Sequence, residues 1–484
     1  MTKSILERFA PLFEPKTVAV VGASATQMTN ANVFMRRMRE FGYPGRIFPV
    51  HPAADEIDGQ RAYRALAETP EPVDYAYIAI AAAQVPKLLA QAAGHVRFAQ
   101  VISSGFGEIE TGRQLQDELV AAARAGGCRL IGPNCLGLYS PRGRVTFVEN
   151  GSADAGPVGV MTQSGGLGTD IVRRGQQRGL RFSGVVTAGN CADVGIAELT
   201  EFYLADAGTR VIGMYLESAS DGRRLFELLR DARAAKPVVL LKGGRTRAGS
   251  AAAASHTGAL AGDDRAWVAL SRQTGAVLVD TLDQFIGALL AFQMLAPRPQ
   301  RPARQVVMFG NGGGTSVLAT DCFARLGLDV APFDAATIDA LARLNLPPGS
   351  SIVNPIDTPV GTLQQDEGRV AEKILEAVYA HADPQALVLH LNLAAFVGRT
   401  RGDVLGNLMQ AVLRVQSRHP GRTHFALVLR SDGEPEVEER KRGFRAEACA
   451  LGIPVFDEIH DAAHALAALA AHERFAGRHV PALA

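Results

Sequence analysis

Three times along this chain an apolar strand runs into a turn rich in Gly and Ser, and then into a helical pattern. The openings read TVAVVGASAT from Thr17, VGVMTQSGGLGTD from Val158 and QVVMFGNGGGTSVLATD from Gln305. Strands that alternate with helices of this length pair in parallel, with the helices covering the sheet. The fold class expected is α/β, built from doubly wound units. Each turn also leaves backbone N–H groups without partners at a helix start, where an anion can bind. With 484 residues, 47% of them hydrophobic, the chain suffices for roughly three such domains.

The first unit runs to about Ser140. After TVAVVGAS come a helix, a strand from Arg46 to Val50, and then VDYAYIAIAA, AQVISSGFGE and RLIGPNCLG. Strand ends carrying small residues line one edge of such a sheet, where ligands of this fold sit. The GAS turn is too short for a full G-x-G-x-x-G fingerprint. The second strand ends in His51-Pro52 rather than in the acidic residue that grips a nicotinamide ribose. A dehydrogenase is disfavoured, and some other nucleotide-like ligand is expected.

Units two and three read as copies of each other. Unit two runs from its turn and helix through Arg178-Gly179-Leu180, GNCADVG, FYLADAGTRVIGMYLE and LLKGGR to VLVDTLDQFIGALLAF. Unit three runs through Arg325-Leu326-Gly327-Leu328, NPIDTPVG, VYAHADPQALVLHLN and LVLRSDGEPE to PVFDEIHDAAHALAAL. The Pro/Arg-rich segment from Ala296 to Gln305 is the expected boundary. The copies differ where chemistry belongs: Glu217 ends a strand in unit two, and Asn392 stands in its place in unit three.

Unit two also carries KGGRTRAGSAAAASHTGALAG, from Lys242 to Gly262. Ala, Gly and Ser bury little apolar area, so this run reads as a loop that lets backbone approach something charged. Lys242, Arg245 and Arg247 are its upstream cations. A neutral imidazole in such surroundings, His256, is suited to take up a phosphoryl group and pass it on. Glu217 is the expected partner of that ring: a carboxylate on one nitrogen fixes the tautomer and leaves the other nitrogen nucleophilic. The helix starts at Ser164-Gly165-Gly166 and Gly312-Gly313-Gly314 would hold the phosphoryl group between two partial positive charges.

The remaining reactive residues read as structural. Cys135, in GPNCLG, has no base at a recognisable spacing. Ser164 does not meet G-x-S-x-G and is expected to cap a helix. His51, His95, His390 and His460 read as surface or packing residues, and the arginines at 36, 37 and 39 as a solvated helix face. Five scattered cysteines, an acidic-containing N-terminus and a formal net charge of +1 suggest a cytoplasmic chain with reduced thiols. They argue against nucleic-acid and membrane partners, and no metal site is legible.

SHTGALAG with its upstream GGRTRAG, the GPNCLG turn, TQSGGLG, GNCADVG and MYLES together resemble the NDP-forming acyl-CoA synthetases, the superfamily of succinyl-CoA synthetase. The resemblance is to the alpha subunit of the ADP-forming acetyl-CoA synthetase type and covers nearly the whole chain. It implies a Rossmann-like CoA-binding domain (1–145), then two flavodoxin-like doubly wound domains, 150–297 with the phosphohistidine loop and 303–470. The implied reaction joins an acid to CoA while ATP becomes ADP and phosphate, reversibly, through an acyl phosphate and a phosphohistidine. By the same resemblance Gly22, Ala23 and Ser24 meet CoA, and Ser103 to Phe106 (Ser104, Gly105 and Phe106 foremost) line the thiol's approach. Asn134 lies near the acyl carbonyl. No G-x-x-x-x-G-K-[ST] loop occurs, so ATP/ADP and Mg²⁺ are expected on a separate ATP-grasp beta subunit in a hetero-oligomer. The other reading this resemblance allows is a non-catalytic CoA-binding sensor or scaffold of the same fold.

Overall fold

The strands from Thr17 to Val21, Val73 to Ile78 and Val306 to Gly310 are buried along their whole length, as parallel strands covered on both faces must be. A computed structural model of the chain describes residues 3–257, 263–397 and 403–478, and of residues 255–257 the backbone only. It contains three largely parallel sheets. The first has the order Arg46–Val50, Thr17–Val21, Val73–Ile78, Val96–Val101, Arg129–Ile131.

The second sheet runs Val277–Val279, Val238–Lys242, Val211–Leu216, Ala155–Thr162, Phe182–Thr187, and Leu138–Tyr139 joins its edge antiparallel. The third runs Ile356–Asp357, Val306–Gly310, Ala386–Asn392, His424–Arg430, Val455–Phe456. Apart from that edge strand, the parallel strands of each sheet, counted in chain order, lie 2-1-3-4-5. This is the flavodoxin-like arrangement, whose switch point lies between the first and third strands.

The chain divides into two compact units, 1–282, which takes in the first two units of the sequence reading up to that point, and 283–484, which holds the third; from here on these two are unit one and unit two. Unit one holds the first two sheets around a shared core that reaches from Phe9 through Tyr77 and Met161 to Tyr203. Helix Ile5–Phe13 begins with a capping box at Ser4 and Glu7 and is wedged between the sheets. Phe13 stacks on Phe202 at 4.3 Å, and Phe9 meets both Phe98 and Phe202 at 5.5 Å. Arg129 adds a polar clamp, donating to Asp193 (2.9 Å) and Glu198 (2.7 Å).

Unit two holds the third sheet with its own core. Its boundary precedes the Ala296–Gln305 segment, where the proline pattern puts it. Helix Leu282–Met294 packs within unit two, with Gly287 facing Phe456 and Ala465. The segment after it is held down as well. The fully buried Glu473 accepts from the backbone of Arg298 (2.6 Å) and Ala303 (2.8 Å) and pairs with His424 (2.7 Å). Among the described residues no helix is long and apolar enough to cross a membrane.

Candidate functional site

At the switch point of the first sheet Gly22 has φ +104, and a Cβ there would run into the Ala79 carbonyl. Only glycine lets the strand turn so close to its neighbour. The loop that follows does not open the next helix directly. That helix, Asn30–Glu40, starts six residues after Ser24 with its own cap on Thr29. The Asn32 side chain reaches back, accepting from the Ser24 N–H (2.9 Å) and donating to the Ser24 carbonyl (2.9 Å). The expected free helix-start amide at GAS is therefore taken up by an internal bond.

Next along this edge, the Ser103 hydroxyl donates to the Ile80 carbonyl, while Ser104 is exposed and Gly105 has φ +106. Phe106 departs from expectation. Its ring is fully buried in the core of the first sheet, so the side chain cannot line an approach for a thiol. Glu108 gathers this loop, accepting from Phe106 N (3.1 Å), Gly105 N and the Asn190 side chain (2.7 Å). Burial would raise its pKa, but these hydrogen bonds outweigh it and hold the carboxyl below its usual range.

Asn134 sits at φ +58, with its amide facing Asn190 at 3.4 Å and its N–H bonded to the Ser103 carbonyl. GPNCLG, ISSGF and GNCADVG thus meet at one junction. Asn190 is its centre, a residue that sequence reasoning quoted only inside a motif. The adjacent Cys135 is inert: its thiol donates to the Val101 carbonyl (3.3 Å), and burial pushes its pKa up to about 12.

The QSGG turn opens helix Gly165–Gln177. Ser164 caps it, accepting from Leu167 N at 3.3 Å, as expected. The N–H groups of Gly165 and Gly166 have no acceptor among the described residues, and nothing lies within 4 Å of the position a Gly166 Cβ would take. Open amides at the positive end of a helix are an anion site in waiting.

Gln163, which sequence reasoning missed, connects this helix start to Glu217. Its Oε1 accepts from the backbone N–H of Glu217 (2.6 Å) and of Ser218 (3.0 Å). The Tyr215 hydroxyl donates to Glu217 Oε1 at 3.0 Å. Unit two repeats the device: Asn311, just before its glycine turn, accepts from Asn392 N at 2.8 Å. An amide at the same offset in both copies was the signal for it. There Gly312 has φ +118, caps helix Gly313–Arg325, and gives its N–H to Asp357 (2.9 Å). Asn392 does stand where Glu217 stands in unit one.

The small-residue run is a helix rather than a loop from Arg247 to Thr257. Ala is the strongest helix former, and Thr246 accepts from Gly249 N (3.0 Å) at the start. His256 lies in its last turn. The His256 side chain and Gly258 to Gly262 lie outside the described residues, so the expected approach of the ring to Glu217 does too. The expected cluster of cations is reduced. Arg245 is paired with Asp264 (2.6 Å) and Asp280, and Lys242 gives its ammonium to the Glu217 carbonyl (2.9 Å). A cleft of about 780 Å³ opens beside Glu217, walled by Phe226, Lys242, Trp267 and Leu270.

Residues 16–141 match the family model described as a CoA binding domain, and residues 155–292 the one described as a succinyl-CoA ligase like flavodoxin domain. The chain is 32% identical over 462 residues to the alpha subunit of acetate–CoA ligase (ADP-forming) II of Pyrococcus furiosus, covering 94% of this chain and 96% of that one. It is 34% identical over 479 residues to the alpha subunit of acetate–CoA ligase (ADP-forming) I of the same organism, covering 97% and 98%. Its fold superposes with a TM-score of 0.82 on the dinucleotide-forming acetyl-coenzyme A synthetase 1 of Ca. Korarchaeum cryptofilum, solved in complex with phosphate and ADP. That match has 26% identity and covers 98% of this chain and 99% of the other.

Proposed function

On the premise that this chain belongs to the family of ADP-forming acyl-CoA synthetases, we propose that it is the catalytic alpha chain of an acid–thiol ligase. It converts a carboxylic acid, CoA and ATP into acyl-CoA, ADP and phosphate, reversibly. One observation carries the reading: Gln163 ties the strand end bearing Glu217 to a helix start whose two glycine amides stand open.

His256 takes the terminal phosphoryl group of ATP on a ring nitrogen and ADP leaves. A carboxylate oxygen of the acid then takes that phosphoryl group, giving the acyl phosphate and restoring the imidazole. Finally the CoA thiol attacks the acyl carbon and phosphate departs, its thiol proton passing to solvent or base. Glu217 orients the imidazole and stabilises its positive charge while the P–N bond exists. The amides of Gly165 and Gly166 receive phosphoryl oxygens, with Gly312, Gly313 and Gly314 as the corresponding start in unit two. Gly22, Ser24, Ser104 and Gly105 meet CoA through backbone and small side chains, Ala23, buried in the core, shapes the turn between them, and Asn134 meets the acyl carbonyl. ATP and Mg²⁺ are held by a separate ATP-grasp subunit, and the assembly works in the cytoplasm. A sensor that only binds CoA has no use for a latched carboxylate beside an anion site.

The test is transfer from labelled ATP in the presence of the partner subunit. Wild type should take up label that is stable in alkali and lost in acid, and His256→Ala none. Normal labelling of His256→Ala would refute the assignment.

A further inference from the structure

The edge of the first sheet at which CoA is placed has a direction. Ser104 and Gly105 follow strand Val96–Val101 and Asn134 follows Arg129–Ile131, the two strands at one side of that sheet. Gly22 follows Thr17–Val21, and at the opposite side stands Arg46–Val50, closed by His51. With the thiol and the acyl carbonyl at one end, the nucleotide end of CoA belongs at the other. Three strand spacings, about 14 Å, separate Arg46–Val50 from Val96–Val101. We propose that His51, with Arg61, binds the phosphate on the ribose of CoA and selects CoA over the same molecule without that phosphate. This rests on the reading that CoA lies along this edge.

Val21 and Val50 are partners in the parallel ladder, so Gly22 and His51 leave the sheet side by side. The His51 ring is half-buried and held by its own loop. Its Nδ1 accepts from the backbone N–H of Ala53 (3.1 Å) and of Ala54 (2.8 Å). A nitrogen that accepts in this way carries no proton, so in the neutral ring the proton sits on Nε2. That N–H points away from the loop and has no hydrogen-bond partner among the described residues. Arg64 braces the same loop, donating to the Ala54 carbonyl (3.1 Å) and pairing with Asp55 (2.5 Å).

Tyr63 lies along the free side of this strand end, taking the His51 N–H and giving its own to Pro49 (both 2.9 Å). The Arg61 guanidinium sits over the Tyr63 ring, 5.4 Å from its centre, and enters no ion pair among the described residues. Glu56, its neighbour across the short hairpin, is not paired with it. Of the other nearby carboxylates, Asp55 is engaged by Arg64 and Asp58 faces the Asn32 amide (3.3 Å). At this place in a dinucleotide fold a carboxylate takes the ribose hydroxyls, and it would repel a phosphate. A fixed imidazole N–H beside an unpaired guanidinium suits a phosphate that accepts from both.

Calorimetry of CoA and of dephospho-CoA on the full chain tests the site. Wild type should bind CoA more tightly by about tenfold or more. In His51→Asp the new carboxylate can still accept from the Ala53 and Ala54 N–H groups, so the loop keeps its shape while the donor becomes a negative charge. Its affinity for CoA should fall about tenfold or more, and that for dephospho-CoA should stay the same. Arg61→Ala should lower CoA affinity about fivefold, again without moving dephospho-CoA. A wild type that binds both ligands alike, or an equal fall on both in His51→Asp, overturns the proposal. Acyl-CoA formation by the chain with its partner subunit separates the two levels. Selective loss of CoA binding, in a complex that makes no acyl-CoA, upholds the phosphate site and sinks the ligase reading. Equal binding of both ligands, with acyl-CoA still formed, does the reverse, and a chain that binds neither overturns both.

Discussion

Glu217 is an ordinary strand-end carboxylate until its neighbours are counted. Its own amide is bound by Gln163, its carbonyl by Lys242, and one carboxylate oxygen by the Tyr215 hydroxyl. A group held at three points can orient an imidazole without reorganising during the reaction. Glu217→Gln should therefore slow phosphoryl transfer by about 10²-fold or more while CoA still binds. Rapid-quench labelling gives the rate and calorimetry the CoA affinity; an unchanged rate would reduce Glu217 to a solvated strand end. His256 and Glu217 stand out in the sequence as candidates because a lone histidine among small residues and an acid ending an apolar strand are local patterns. The neutralisation of Arg245 by Asp264 and Asp280 was not legible, since its partners lie on elements that fold back from 19 and 35 residues downstream.

At the scale of elements, the working unit is a strand, a glycine turn and the helix beyond. The three openings share that grammar and use it differently. QSGG opens a helix at once and leaves amides free, whereas GAS enters a loop pinned by Asn32 before its helix begins at Asn30. What the GAS turn supplies is close approach at the sheet's switch point. Gly22→Val forces a side chain into the Ala79 carbonyl at a positive φ, so the turn must move away from the ligand edge. CoA affinity measured by calorimetry should fall about tenfold or more, with the second and third sheets intact by circular dichroism. Equal affinity would place CoA elsewhere.

At the scale of the molecule, the chain is an N-terminal CoA-type sheet followed by two copies of one flavodoxin-like sheet, of which the first copy carries Glu217 and His256. No P-loop occurs in the sequence, and two relatives that match it almost from end to end are named as alpha subunits. The purified chain should therefore bind CoA yet make no acyl-CoA from acid, ATP and CoA until a nucleotide-binding partner is added. Full turnover by the homogeneous chain, followed by thiol consumption, would overturn the two-chain arrangement.

The sequence by itself determined the class of fold, the likeness of its last two sheets and the helix start at QSGG. These are short-range properties: apolar runs, glycines after strands and offsets between copies survive in a linear reading. Only the tertiary structure decided which side chains meet. Gln163 reaches Glu217 across 54 residues because their strands are neighbours in the sheet, and the order of strands is nowhere written locally. The same holds for Asn190 joining three loops and for Phe106 turning into the core.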